Sequence, residues 1–123
     1  MPDRPSASEL ADAVREFLET EVLPSVQDAR LRFRLLVAAN ALSIAKRDLE
    51  MGDDLLREEI ALLRPLGEAP PPGMPREQAL ALSAALARRI RRGEVPSGTL
   101  EALRRIAELK LRVASPRYLE RYG

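Results

Sequence analysis

The sequence predicts an all-α protein, a compact bundle of about five helices arranged around a long central second helix. Three observations predict it. Apolar residues make up 46% of the 123 residues and are mostly leucine and alanine, while aromatics are only 3%. That mixture favours helix and gives strands little bulk to pack. Apolar positions recur at intervals of three and four along most of the chain. The ten prolines fall mostly outside those periodic stretches, where they punctuate helices and do not kink them. A chain of 13.7 kDa buries roughly two-thirds of the surface it exposes when unfolded, enough for one core. The expectation is a single helical domain over residues 1–123, with a short arm at 1–5, a proline-rich connector at 67–75 and a tail at 115–123.

The first helix opens at Ser6-Ala7-Ser8-Glu9, a capping box preceded by Pro5. Leu10, Val14, Phe17, Leu18 and Val22 share one face, Asp12, Glu16 and Glu19 the other, and Pro24 marks the end. The second helix is the longest, from about Asp28 to Met51, with Gly52 in the position of a C-terminal cap. Leu31, Leu35, Ala38, Leu42, Ala45 and Leu49 form one stripe. Phe33, Val37, Ala41 and Ile44 form another on roughly the opposite side, so this helix reads as sandwiched by neighbours. Asp53 or Asp54 can cap a third helix running to about Leu66, with Leu55, Leu56, Ile60, Leu63 and Leu66 inward. The connector from Gly67 to Pro75 is stiff and extended; it reads as a linker within the bundle or as a polyproline ligand. A fourth helix spans about Arg76 to Arg92, with Ala79, Leu82, Leu86 and Ile90 inward, and stops at Gly93. A fifth opens at Ser97 to Thr99, with Leu100, Leu103, Ala107, the aliphatic stem of Lys110, Leu111 and Ala114 toward the core, and ends at Ser115-Pro116.

Composition excludes much chemistry. With no cysteine and no histidine there is no disulfide, no thiolate or imidazole catalysis, and no metal site of the usual kind. No glycine-rich phosphate loop occurs among the six glycines. No catalytic residue, metal or cofactor is therefore expected. The opening Met1-Pro2-Asp3-Arg4-Pro5 has no apolar signal region. The longest uncharged apolar-rich run, Leu35 to Ala45, is eleven residues, too short to span a bilayer. The chain is expected to be cytoplasmic, with no membrane partner. Only two of the 20 basic residues are lysine, and asparagine and glutamine are scarce, a usage that suits a thermophile.

Charge is uneven. Residues 1–75 hold 9 basic and 14 acidic groups, a balance of −5, and residues 76–123 hold 11 and 5, a balance of +6. Packed helices of opposite sign, or a basic surface for an acidic or phosphate-bearing partner, both account for this. The densest basic element is Arg88, Arg89, Arg91 and Arg92. These either complement the negative end of a helix dipole or form a basic patch. Stacking aromatics are missing beside them, so a nucleic-acid partner is not expected. Asn40 is the one amide inside the second helix. Buried there, it needs partners, because an unpaired buried amide costs about 1–3 kcal/mol. It would fix packing or, with Arg47, line a polar ligand site. Asp53/Asp54 and Glu58/Glu59 read as a cap and a solvated face. In the tail, Tyr118, Leu119 and Tyr122 either fold back on the bundle or are candidates for an interface, tyrosine being a residue of protein–protein hot spots.

Arg4-Pro5-Ser6-Ala7, Ala13-Val14-Arg15-Glu16-Phe17-Leu18 and the run Phe33 to Leu42, with Val37-Ala38-Ala39-Asn40-Ala41-Leu42, resemble a bacterial family of small helical proteins, a domain of unknown function. The resemblance covers nearly the whole chain and brings no catalytic motif. It implies an accessory role, because members accompany aminoglycoside-phosphotransferase-like kinases, often near acyl-CoA dehydrogenases. The sequence thus points to a non-catalytic interaction module for a kinase-like or acyl-CoA-handling partner, or one that self-associates. The alternative is a small helical protein or enzyme that holds a phosphate or CoA-type anion through its arginines and Asn40.

Overall fold

The computed structural model describes residues 4–122, with the backbone alone for Tyr122. Met1 to Asp3, in the expected arm, and Gly123 lie outside the described residues, as does the side chain of Tyr122. Among the described residues there is no strand. Five α-helices follow in order: α1 (Ala7–Phe17), α2 (Ala29–Leu63), α3 (Pro75–Arg91), α4 (Thr99–Ala114) and α5 (Pro116–Tyr122). Contacts group the chain into two compact units, Met1–Glu50 and Met51–Gly123, and α2 contributes to both. No helix among the described residues is long and apolar enough to cross a membrane.

The first unit is a helical hairpin. The expected capping box forms at its start, where Ser6 Oγ accepts from the Glu9 amide at 3.2 Å. After Phe17 the helix loosens into one π-helical turn, Leu18–Val22, and closes with a 3₁₀ turn, Leu23–Ser25, that contains Pro24. Asp28 then caps α2, its Oδ2 accepting from the Leu31 amide at 2.9 Å. Arg32 fixes the turn by donating to the carbonyls of Leu23 and Val26 at 2.7 and 2.9 Å. Across the hairpin, Lys46 Nζ stands 3.5 Å from Asp12 Oδ1, which also accepts from Arg15 Nε at 3.0 Å. The Arg15 hydrogen bond, ahead of the two cations' charges, holds the Asp12 carboxyl below its ordinary pKa. Its stabilising contribution is therefore present above the ordinary carboxylate pKa and lost as pH falls through the lowered one.

The separate second and third helices expected from the sequence are one helix of 35 residues. Gly52 does not cap it: the helix runs through Gly52, and among the described residues the glycines with positive φ are Gly73, Gly93 and Gly98. A mid-helix glycine costs about 1 kcal/mol relative to alanine, too little to stop a helix continued by strong formers on both sides. Arg57 supports the stretch by donating to Asp54 at 3.1 Å, so Asp54 acts within the helix and not as its cap.

The second unit encloses a leucine core. Leu63 and Leu66 from the end of α2, Leu82 and Leu86 from α3, and Ala102 and Ile106 from α4 are buried together, with Ile60 and Leu62 against them. Pro75 takes the first position of α3, and Gln78 anchors the connector by donating to the Pro71 carbonyl at 2.8 Å. On α4 the buried stripe is Thr99, Ala102, Ile106 and Leu109, not the expected stripe. Leu100 is 73% exposed. Both stripes are apolar enough to read as a face; the winning one brings Ile106 and Leu109 inward and leaves Arg104, Arg105 and Arg112 exposed. Glu59, expected on a solvated face, is instead 6% exposed, its Oε1 3.2 Å from Lys110 Nζ. The tail is helical, with Pro116 at its start, and follows α4 after the single residue Ser115.

Asn40 is exposed, and its neighbour Ala39, 2% exposed, is the buried residue of the hairpin. One helix turn carries consecutive residues 100° apart, so the face that meets α1 leaves Asn40 to the side. Asn40→Ala is therefore expected to change stability by less than about 0.5 kcal/mol. Ala39→Leu, which forces a larger side chain into the hairpin seam, is expected to cost about 1–3 kcal/mol. Urea melts of the two variants check the contrast.

Candidate functional site

The arginine cluster sits where α3 stops. Gly93 has φ +81°, the left-handed conformation that glycine takes without strain. Its amide donates to the Ile90 carbonyl at 3.0 Å, and the Glu94 amide donates to the Arg89 carbonyl at 2.9 Å. These two bonds are a Schellman closure of the helix. The sequence expectation that the helix stops at Gly93 holds, for this reason.

The closure fixes the arginines in different roles. Arg89 reaches to the end of α2, donating to the Leu66 carbonyl, and so caps the 3₁₀ turn Arg64–Leu66. Arg89 Nε and Arg92 Nη2 lie 3.7 and 3.5 Å from Glu94 Oε2. Arg91 turns back on its own helix, Nε donating to the Ala87 carbonyl at 3.4 Å.

Arg88, Arg89 and Arg92 line a pocket of about 560 Å³ whose apolar wall is Leu63, Leu66, Leu82 and Leu86, with Glu68 and Pro96 also at its edge. Arg91 is not among its lining residues. An apolar wall beside guanidinium groups is suited to a ligand with an acyl or aromatic body and an anionic end. Glu68 is the one carboxylate among its lining residues. The four buried leucines belong to the core, so the wall is part of what folds the unit.

Asn40 and Arg47, paired by the sequence as a ligand site, do share a side of α2, Asn40 exposed and Arg47 half-buried. Neither lines the arginine pocket. A smaller pocket, about 320 Å³, lies at the start of α2 between Asp28, Arg30, Leu31 and Arg34. Sequence reasoning missed these arginines, although Arg30-Leu31-Arg32-Phe33-Arg34 is a visible alternation of basic and apolar residues. Of the tail residues, Tyr118 is exposed and Leu119 half-buried. Among the described residues no three acidic side chains converge as metal ligands would.

Residues 24–118 match a domain of unknown function, DUF6285. The chain belongs to this family. The matched stretch takes in α2, α3, α4 and both sets of arginines, and begins after α1. No curated protein sequence and no solved structure matches the chain.

Because Arg89 satisfies a carbonyl at a helix end, Arg89→Ala is expected to destabilise the protein by about 1–3 kcal/mol. Arg91→Ala, which removes only a long bond to its own helix, is expected to stay within about 0.5 kcal/mol. Thermal melts compared at one pH and salt concentration check both.

Proposed function

We propose that this protein is a non-catalytic interaction module serving an aminoglycoside-phosphotransferase-like kinase or an acyl-CoA-handling enzyme. The observation that supports the reading most is how many large apolar side chains stand open to water. Leu10, Val14 and Phe17 on α1, Phe33, Leu36 and Val37 on α2, and Tyr118 on α5 are all about half exposed or more. Leu10, Val14 and Phe17 line one side of α1, and an exposed apolar line of this kind on a small protein marks an interaction site. The absence of cysteine and histidine removes the commonest catalytic groups and agrees with a binding role. In the tail, Tyr118, Arg117 and Arg121 offer hot-spot residue types on a short helix that begins with a proline.

A second reading is supported by the arginine pocket. Its leucine wall and the guanidinium groups of Arg88 and Arg92 suit a CoA-type or other phosphate-bearing ligand, held without help from Asn40.

One pair of experiments separates the readings. Affinity-tagged protein, co-expressed with an aminoglycoside-phosphotransferase-like kinase, is expected to retain the kinase on a column. Truncation after Ser115 is expected to reduce retention at least tenfold. Calorimetric titration with CoA is expected to give no heat of binding. Saturable CoA binding that Arg88→Ala abolishes, without kinase retention, would replace the first reading by the second.

A further inference from the structure

The first unit leaves its own apolar face half covered. On α1, Leu18 and Val22 are half-buried, whereas Leu10, Val14 and Phe17 are 52%, 49% and 51% exposed. These three are four and three residues apart, so they form a line along one side of the helix. The hairpin is antiparallel, and the Asp12–Lys46 contact sets its register. In that register Leu10 lies level with Asp48, next to Leu49, and Val14 with Ile44, next to Ala45. Leu31, Ala45 and Leu49 are exposed and lie roughly a quarter turn around α2 from the seam at Ala39. For an antiparallel right-handed pair, that puts them on the same side of the hairpin as Leu10, Val14 and Phe17. The result is one apolar face spread over two helices.

We propose that this face is where a second copy of the chain docks, hairpin on hairpin, to form a four-helix bundle. Charge identifies the occupant. Residues 7–22 carry five acidic groups and one basic, while residues 29–47 carry five basic groups and no acidic one. Each copy therefore offers an acidic helix beside a basic one. A two-fold axis parallel to the helices sets the acidic helix of each copy on the basic helix of the other. The opposite choice, α1 on α1, would bring acidic surface against acidic surface. In the favoured arrangement Glu21 at the edge of α1 comes within reach of Arg34 at the edge of the second copy's α2.

Area and size agree. The exposed parts of the six apolar residues come to on the order of 500 Å² per copy, about the apolar share of an interface of ~800 Å² per partner. A hairpin of fewer than about 50 residues is also near the limit at which a fold needs help from oligomerisation. Four helices enclose a core along their common axis; two do not.

The inference deepens the interaction-module reading and can fail apart from it, since a homodimer that retains no kinase upholds the first and sinks the second. Light scattering on the full chain is expected to give twice the mass of 13.7 kDa at micromolar concentration. Val14→Glu and Phe17→Glu are expected to weaken association at least a hundredfold while helical circular dichroism is kept. Phe33→Glu, on the other side of α2, is expected to leave it unchanged. Glu21→Arg is expected to weaken association about tenfold, and adding Arg34→Glu to restore it. A single-chain mass up to about 100 μM, as when the face is covered within one chain, would overturn the proposal. So would a dimer indifferent to Val14→Glu, or one dissolved equally by Phe33→Glu.

Discussion

Two helices touch along a single seam, and most of the first fifty residues answer to that constraint. An amphipathic helix presents an apolar arc of 100° or more, but one neighbour covers only part of it. In the α1–α2 hairpin the covered part narrows to Ala39, which is small enough to let the helices approach and is nearly inaccessible. Residues about a third to half a turn away stay open whatever their hydrophobicity, Phe33 and Val37 among them. The second unit escapes the constraint because three elements meet there. The end of α2, α3 and α4 surround a common line, so Leu63, Leu82, Leu86 and Ile106 are buried together. Lys110 reaches the edge of this unit to neutralise the buried Glu59, which keeps a carboxylate tolerable in an otherwise apolar interior.

Chain reversals are closed by arginine in both units. Arg32 donates to two carbonyls of the turn before α2, and Arg89 donates to the carbonyl at the end of the 3₁₀ turn after it. The last carbonyls of a helix have no partner of their own, and a guanidinium fork reaches them while its stem lies along apolar surface. A composition with 20 basic residues, nearly all arginine, thus serves the fold at these turns. The cluster Arg88 to Arg92 is the same device combined with a Schellman closure and with Glu94 as a counter-charge. Its density in sequence reflects helix closure for Arg89 and Arg92 before any ligand is considered.

Much of the fold is legible in the residues themselves. Ser6 as a cap, Gly93 as a stop and the leucine positions of α3 are local signals, and each acts where its chemistry requires. What is not legible depends on competition between nearly equal choices. Gly52 reads as a cap, but its cost is about 1 kcal/mol and the helix-forming residues around it outweigh that. On α4, two apolar stripes one residue apart compete, and packing against Leu82 and Leu86 chooses Ile106 over Leu103. Asn40 reads as buried because both sides of its helix are apolar. Nothing local shows that only one helix covers that stretch. The arginine pocket was half legible: the arginines stand together in the sequence, but Leu63 and Leu66, which wall it, come from a segment some twenty residues earlier.

The charge pattern shows most plainly what a coarse reading hides. Divided into residues 1–75 and 76–123, the chain is an acidic part and a basic part of similar size. Divided by helices, the acidic part separates again. Residues 7–22 are acidic and the first half of α2 is purely basic up to Arg47, while six further acidic groups, from Asp48 to Glu59, lie on the second half of α2. Folding the hairpin brings these two helices side by side, with Asp12 against Lys46 as the visible contact. The pairing is short-ranged, because exposed charges more than about 8 Å apart are screened at physiological salt. Its value therefore lies in orientation and not in stability: opposite charge on adjacent helices favours the antiparallel hairpin, and any surface laid on the hairpin meets the same alternation. An apolar face bordered on one side by carboxylates and on the other by guanidinium groups discriminates between partners by sign as well as shape. A partner with that same pair of helices matches it without any further residue being added.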